Sequence, residues 1–350
     1  MEKKVRFGVI GAGGIATRRT IPGMLEAKNL QVIAVMDIVN AKEIAQKFNI
    51  PKYYEKEKDL VKDPEIDAVY IATPVYLHLK HIKMCAENGK HILCEKPLCK
   101  NLKEGKEAVK ICRKNGVYLQ EGYMMKFHGA HRKIKDLIKE GKLGKVVYMR
   151  GQLSCWYPPI KGAWRQIPSK GGGGSLIDMA THLYDLLEFF IDDKIKYISA
   201  IVNTQVHNYK VEDSSTTLIE FSKGTHATID CFFCIPDEAS KTRLEIYGSK
   251  GAILTEGTIG QSVGGKMEGI FGLGESGYDA IQSKDVIREF KEIEFEKINP
   301  YTAETEYFAD CILKGKEPEI NNWENALHIL EVMEKAYQSY KKKKIMKVEL

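Results

Sequence analysis

The sequence predicts an α/β protein in two parts: an N-terminal doubly wound parallel sheet, then a C-terminal α/β part built on a large open, mainly antiparallel sheet. Three observations carry this expectation. The opening run "VRFGVIGAGGIA" is an apolar strand that enters a glycine turn and then a helix. Short β-rich runs then alternate with helical segments as far as "EGYMMKFH", a pattern that builds a parallel sheet covered on both faces. Beyond that point the runs lengthen and alternate apolar with polar, as half-covered antiparallel strands do. With 350 residues, 43% of them hydrophobic, the chain can fill two cores, since single cores rarely grow past roughly 250 to 300 residues. The expected division is 1–123 and 124–350, with the terminal helices able to pack back on the first part.

The first turn has the G-x-G-x-x-A spacing at Gly11, Gly13 and Ala16. Gly11 permits the turn, Gly13 lets backbone approach a pyrophosphate, and Ala16 lets the helix pack close to the strand; Gly14 and Ile15 complete the ligand-facing loop. The second strand, "LQVIAVMD", ends at Asp37, 21 residues after Ala16, where a carboxylate accepts hydrogen bonds from an adenosine ribose. Ile38, Val39 and Asn40 follow, with no arginine or serine ready for a 2′-phosphate, so NAD is expected over NADP. Arg18 and Arg19, on the first helix, are the main objection, since they could reach toward such a phosphate, although an exposed helix face is the commoner fate of such a pair. "DAVYIAT", "KHILCEKP" and "GVYLQEGY" supply further strands, separated by helices near 76–88 and 103–115. Ligands lie beyond the carboxyl ends of such strands, which makes Thr73, Pro74, Glu95 and Lys96 candidate site residues. An ammonium at Lys96 can donate to a reacting oxygen and favour its negative charge. The plain alternative is a surface lysine.

The second part opens with a helix over 128–140, followed by "VVYMRGQLSCW", "YISAIVNTQV", "SSTTLIEFSKG" and "HATIDCFFCI", with a hairpin turn at Lys223 and Gly224. Between the first two lies "GGGGSLIDMATH". It predicts a helix over 175–191 with Ser175 as N-cap and a stripe of Leu176, Ile177, Leu183, Leu186, Leu187 and Phe190. At helical spacing Asp178, His182 and Asp185 share a face, either as a satisfied local group or as reacting groups; this stretch leaves both open. Residues 256–277 hold eight glycines and predict a loop beside the active site or at a subunit contact. Helices near 301–314 and 323–341 close the chain.

Composition narrows the function. The net charge of +6 is spread over 53 basic and 47 acidic residues, and the one dense basic run, "KKKKIMK", reads as a solvated helix end, so no nucleic-acid partner is expected. No apolar run reaches about 18 residues and the charged start has no signal-peptide pattern, which points to a cytoplasmic protein without a membrane partner. The eight cysteines are scattered; Cys231 and Cys234 sit on a strand and point to opposite faces, giving reduced thiols and no metal site.

Taken in order, Gly11-Gly13-Ala16, Thr73-Pro74 with His78 four residues on, "CEKP", "WR" before a glycine cluster, and "GGxLxDxxxH" resemble the family of glucose-fructose oxidoreductase, inositol dehydrogenase and the rhizopine-catabolism enzymes. The likeness extends through "GKLGKV" and "VEDSSTTLIEFSKG" and covers essentially the whole chain. It implies a Rossmann domain followed by an α/β domain whose open sheet often forms dimers or tetramers, so a homodimer or homotetramer is expected. Lys96, Asp178 and His182 fall on the family's catalytic positions. Tyr123 and Lys126 resemble positions lining the nicotinamide side of the cleft, and His78 a cofactor-side or helix-start residue. Trp164 and Arg165 match a substrate-binding pattern, while Trp156 and Tyr157 end a core strand or face substrate. The implied activity is NAD-dependent hydride transfer to or from a secondary alcohol or ketone of a sugar, polyol or related cyclic alcohol. His182 would be the base, Lys96 would polarise the oxygen, and Asp178 would orient substrate or imidazole. Glycines 171–174 would let the chain pass against the substrate. Two alternatives are an NAD-dependent glycoside hydrolase working by transient oxidation and elimination, and a non-catalytic sugar- or NAD-sensing regulator.

Overall fold

The computed structural model describes residues 3–274 and 289–350. The first sheet is formed by β1 (Val5–Ile10), β2 (Leu30–Met36), β3 (Lys52–Tyr54), β4 (Ala68–Ile71), β5 (His91–Glu95) and β6 (Leu119–Gly122). All its pairings are parallel, in the order β3-β2-β1-β4-β5-β6. Parallel neighbours need long crossovers, supplied by α1 (Ile21–Glu26), α2 (Ala41–Lys47), α3 (Glu57–Lys62), α4 (His78–Glu87) and α5 (Leu102–Lys114). The strand order reverses between β1 and β4, which opens a crevice beyond their carboxyl ends.

After β6 come α6 (Gly129–Lys139), the single turn α7 (Pro168–Gly171) and α8 (Thr181–Ile191), set around the first strand of a second sheet. That sheet contains β7 (Val146–Ser154), β8 (Ile195–Asn203), β9 (Ser214–Phe221), β10 (His226–Phe232), β11 (Arg243–Gly248), β12 (Gly251–Glu256), β13 (Lys266–Phe271), β14 (Lys291–Glu292) and β15 (Met346–Lys347). Its order is β14-β13-β12-β11-β7-β10-β9-β8-β15, antiparallel throughout except for β7 beside β10. The β9–β10 hairpin turns at Lys223 and Gly224 as expected, with Gly224 at φ +86°. α8 packs directly on β7, where Gly151 leaves room for Leu183. The opposite face exposes Val147, Ile201 and Leu218. Among the described residues no helix is long and apolar enough to cross a membrane. All eight cysteines are free, with Cys231 buried in β10 and Cys234 beyond its end.

The terminal helices are α9 (Pro300–Lys314) and α10 (Trp323–Lys342). α9 covers one face of the first sheet, with the Phe308 and Phe7 rings 6.3 Å apart. α10 spans both parts: Leu330 fills the space left by Gly105 on α5, and the Ser339 hydroxyl accepts from the Ala200 amide at 3.2 Å. The other face of the first sheet runs continuously into the core of the second.

Three expectations are corrected. The glycine-rich run at 256–277 is not one loop, because Lys266–Phe271 extends the sheet as β13; 275–277 lie outside the described residues. The expected helix over 175–191 begins with a π-helical turn, Leu176–Ala180, and Ser175 has helical backbone angles with no capping bond. Its capping work is done from outside, by Glu212, whose Oε1 accepts from the amides of Gly174 (2.8 Å) and Leu176 (3.1 Å) and from the Tyr337 hydroxyl (2.7 Å). The glycine cluster serves this cradle. A Cβ at Gly173 would overlap the Tyr337 hydroxyl, and one at Gly174 the Glu212 carbonyl oxygen. None of residues 171–174 lines the crevice.

Gly174→Ala therefore forces backbone apart, and a loss of about 2 kcal/mol in unfolding free energy is expected, as overpacking typically costs. Urea titration followed by circular dichroism measures it; an unchanged midpoint would show that the cradle yields freely.

Candidate active site

A cleft of about 740 Å³ lies beyond the carboxyl ends of the first sheet and extends to β7 and the π-helical turn before α8. At one end Gly11, with φ +81°, approaches Thr73 so closely that a Cβ would come within 2.7 Å of its methyl and 2.9 Å of its amide nitrogen. Gly13, Gly14 and Ile15 line the wall, and Ala16 is buried behind them. The Gly13 amide donates to Asp37 Oδ2 at 3.0 Å, while Asp37 Oδ1 accepts from the Val39 amide at 3.0 Å. A bare glycine turn with open space above Gly14 and a carboxylate at the next strand end fits a dinucleotide: phosphate over the turn, ribose hydroxyls at Asp37. Thr73 and Pro74 form the facing wall.

At the other end six predicted residues converge. Lys96, immediately after β5, donates from Nζ to the Asp178 backbone oxygen at 2.6 Å and to Asp178 Oδ1 at 3.1 Å. Arg165 Nε donates to the same Oδ1 at 3.2 Å, and its guanidinium lies 4.4 Å over the Trp164 ring. Burial alone would raise the Asp178 pKa, but Lys96 and Arg165 outweigh it and hold the carboxyl well below the usual range. His182 shares the cleft wall. Burial lowers its pKa well below the ordinary value and the Lys96 charge lowers it further, against partial opposition from Asp178. The imidazole is neutral near pH 7. Glu95 also lines the cleft; its Oε1 accepts from the Tyr70 hydroxyl at 2.5 Å, and burial raises its pKa.

Other predicted residues lie elsewhere. Lys126 is buried and held by Asp185 at 2.6 Å, so neither it nor Asp185 reaches the cleft; Asn325 Nδ2 also donates to that carboxylate, at 2.6 Å. Two buried opposite charges satisfy each other more fully than either would facing a ligand. Tyr123 stands behind the site, its ring edge-on to His182 at 5.6 Å. His78 touches the cleft, but both ring nitrogens lie against backbone carbonyls, Nε2 2.8 Å from Thr73 O and Nδ1 3.1 Å from Pro97 O. It ties the two strand-end loops together. Trp156 is exposed and outside the cleft, with its ring against His207. Sequence reasoning missed Leu153, Met125 and Met179, which give the Lys96 end apolar walls, and Tyr301, which arrives from a distant segment; Gly260 and Gln261 also line the cleft, within the glycine-rich segment offered as a loop beside the active site. None is a specified position of a motif.

A dinucleotide turn that opens on a cleft with an anchored lysine and a neutral histidine defines an oxidoreductase of the nicotinamide-dinucleotide class. Residues 5–123 match the oxidoreductase family with an NAD-binding Rossmann fold, and residues 131–254 match the GFO/IDH/MocA C-terminal domain. The chain belongs to this GFO/IDH/MocA oxidoreductase family. It is 30% identical to the scyllo-inositol 2-dehydrogenase (NAD(+)) of Bacillus subtilis (strain 168), over 94% of this chain and 92% of that one. It is also 30% identical to the 1,5-anhydro-D-fructose reductase of Ensifer adhaerens, over 73% and 77% of the two chains. A levoglucosan dehydrogenase solved with NADH and levoglucosan has the same fold, with a TM-score of 0.87 at 20% identity over 99% of this chain and 100% of that one.

The site predicts its own titration. In histidine-resolved NMR, His182 should stay uncharged down past pH ~6, where an ordinary histidine near 6.5 is largely protonated. Lys96→Met removes a neighbouring cation that disfavours the imidazolium, so the His182 midpoint should move up. A midpoint that stays or falls would refute the coupling.

Proposed function

We propose that this protein is an NAD-dependent dehydrogenase or reductase acting on a secondary alcohol or ketone of a sugar, polyol or related cyclic alcohol. One observation carries the reading: the Lys96 ammonium is held by Asp178 beside neutral His182 at the inner end of the dinucleotide cleft. The names of the two curated relatives support the substrate class. A bound nicotinamide supplies the acceptor or donor of hydride.

The chain supplies the rest. An ammonium has three donors; Asp178 takes two from Lys96, and the third points to the substrate oxygen, whose negative charge it stabilises. His182 accepts the hydroxyl proton in oxidation. Because Lys96 disfavours the imidazolium, the same group returns the proton readily in reduction. Asp178 positions both cations, Lys96 and Arg165, and Arg165 with Trp164 presents a guanidinium and an aromatic face to a polyhydroxylated ring. The first domain, 1–123, carries the cofactor contacts and Lys96, and 124–350 carries Asp178 and His182. The open face of the second sheet is the surface for a homodimer or homotetramer, in a cytoplasmic enzyme.

The test is a screen of sugars, polyols and keto-sugars for formation or loss of NADH. Activity is expected on at least one, and Lys96→Met should lower kcat on it by about a hundredfold, as loss of one oxyanion donor does, with NADH binding retained. Silence across the panel, or wild-type turnover without the lysine, would remove the reading.

Cofactor choice rests on Asp37, whose carboxylate repels a 2′-phosphate and accepts from a ribose diol. Fluorescence titration should show NADH binding about tenfold tighter than NADPH, or about 1.4 kcal/mol, with the gap narrowing in Asp37→Ser. Equal or tighter NADPH binding would overturn that role.

A further inference from the structure

The glycine-rich turn between β12 and β13 has no part in the chemistry above. Its neck is pinched: Gly265, with φ +123°, lies so close to residues 257 and 258 that a Cβ would come within 2.8 Å of both the Gly257 carbonyl carbon and the Thr258 nitrogen. Its root is anchored in the core, with Thr258 and Ile259 buried. Thr258 Oγ1 lies 2.8 Å from Thr255 Oγ1 and 3.3 Å from His131 Nε2. Past this root the chain turns at Gly260, with φ +117°, and sends Gln261 across to the other domain. There Arg19 Nε, beside the dinucleotide turn, donates to Gln261 Oε1 at 3.2 Å. Gly260 and Gln261 line the same cleft as Gly13, Gly14, Ile15 and Arg18.

We propose that residues 257–265 form a strap over the dinucleotide, fastened by the Arg19–Gln261 hydrogen bond, and that this bond sets how long the dinucleotide stays bound. The inference rests on the cleft being the cofactor site. The closed neck and buried root anchor the arm at its base, and its tip is tied to the first domain by a contact between two exposed side chains. A molecule lying on the Gly11–Ile15 turn is flanked by this arm from the second domain and by Arg18 from the first. Leaving requires that the contact open. A single exposed hydrogen bond is weak enough to open on each turnover, and its loss should appear mainly in the dissociation rate.

The experiment is stopped-flow displacement of NADH from the full-length protein in four forms: wild type, Arg19→Ala, Gln261→Ala and the double variant. Each single change should raise the NADH dissociation rate about fivefold, the loss of roughly one hydrogen bond. The double variant should release no faster than either single one, because one contact can be lost only once. Unchanged or slower release in the single variants overturns the strap, as does a double variant whose effect is the product of the two. Wild type that binds no NADH removes the cofactor reading itself, a result distinct from failure of the strap.

Discussion

The Asp178 carboxylate is the point on which the site depends. Its Oδ1 meets two cations from separate segments, Lys96 from the end of the first sheet and Arg165 from the loop after β7. The second sheet's helix thereby reaches the cofactor end of the first. Such a pair is costly to desolvate and costly to break, since removing one partner strands the other charge in a partly dry site. Arg165 adds a second cation on the same oxygen, so the carboxylate stays ionised while burial works against it. Burial holds the His182 pKa well below its ordinary value and the Lys96 charge lowers it further, with Asp178 in partial opposition. One ion cluster thus fixes the position of the ammonium beside a buried imidazole.

That cluster is itself held by groups that, His78 apart, lie outside the cleft lining. Glu212 accepts from the amides where the π-helical turn begins, and Tyr337 of α10 steadies Glu212. On the other side Glu121 Oε1 accepts from the Leu98 amide at 2.6 Å, fixing the loop that follows Lys96; burial, with Asp185 nearby, pushes its pKa up to about 8. His78 joins the same loop to the end of β4. Asn321 Nδ2 donates to the Tyr123 backbone oxygen at 3.1 Å, which secures the residue standing edge-on to His182. Lys96 is placed by a strand end and Asp178 and His182 by a helix start, and these are secured by buried polar groups from both halves of the chain.

Most of the fold was legible in the sequence. Strand-and-helix alternation predicted the parallel sheet, and long alternating runs predicted the open one, because burial on one face or two leaves its period in the residues. That Lys96, Asp178 and His182 would share one cleft was legible through motifs, each at a strand end or a helix start. The glycine cluster was misread as a substrate passage, since a glycine's need for space is visible in sequence but the neighbour requiring it is not. Lys126 was misplaced for the same reason: a charge in a list of residues carries no sign of a buried partner.

The sequence by itself determined the two-sheet architecture, the dinucleotide turn and the chemical types at the site, because these depend on local backbone preference and periodic burial. Only the tertiary structure decided which groups face the cleft. Glu212 and Tyr337 meet residues 173–176, Asn321 meets Tyr123, and Gln261 meets Arg19, all across long separations in the chain. Such contacts are selected by the packing of whole elements, and a buried polar group takes whichever partner that packing brings within reach.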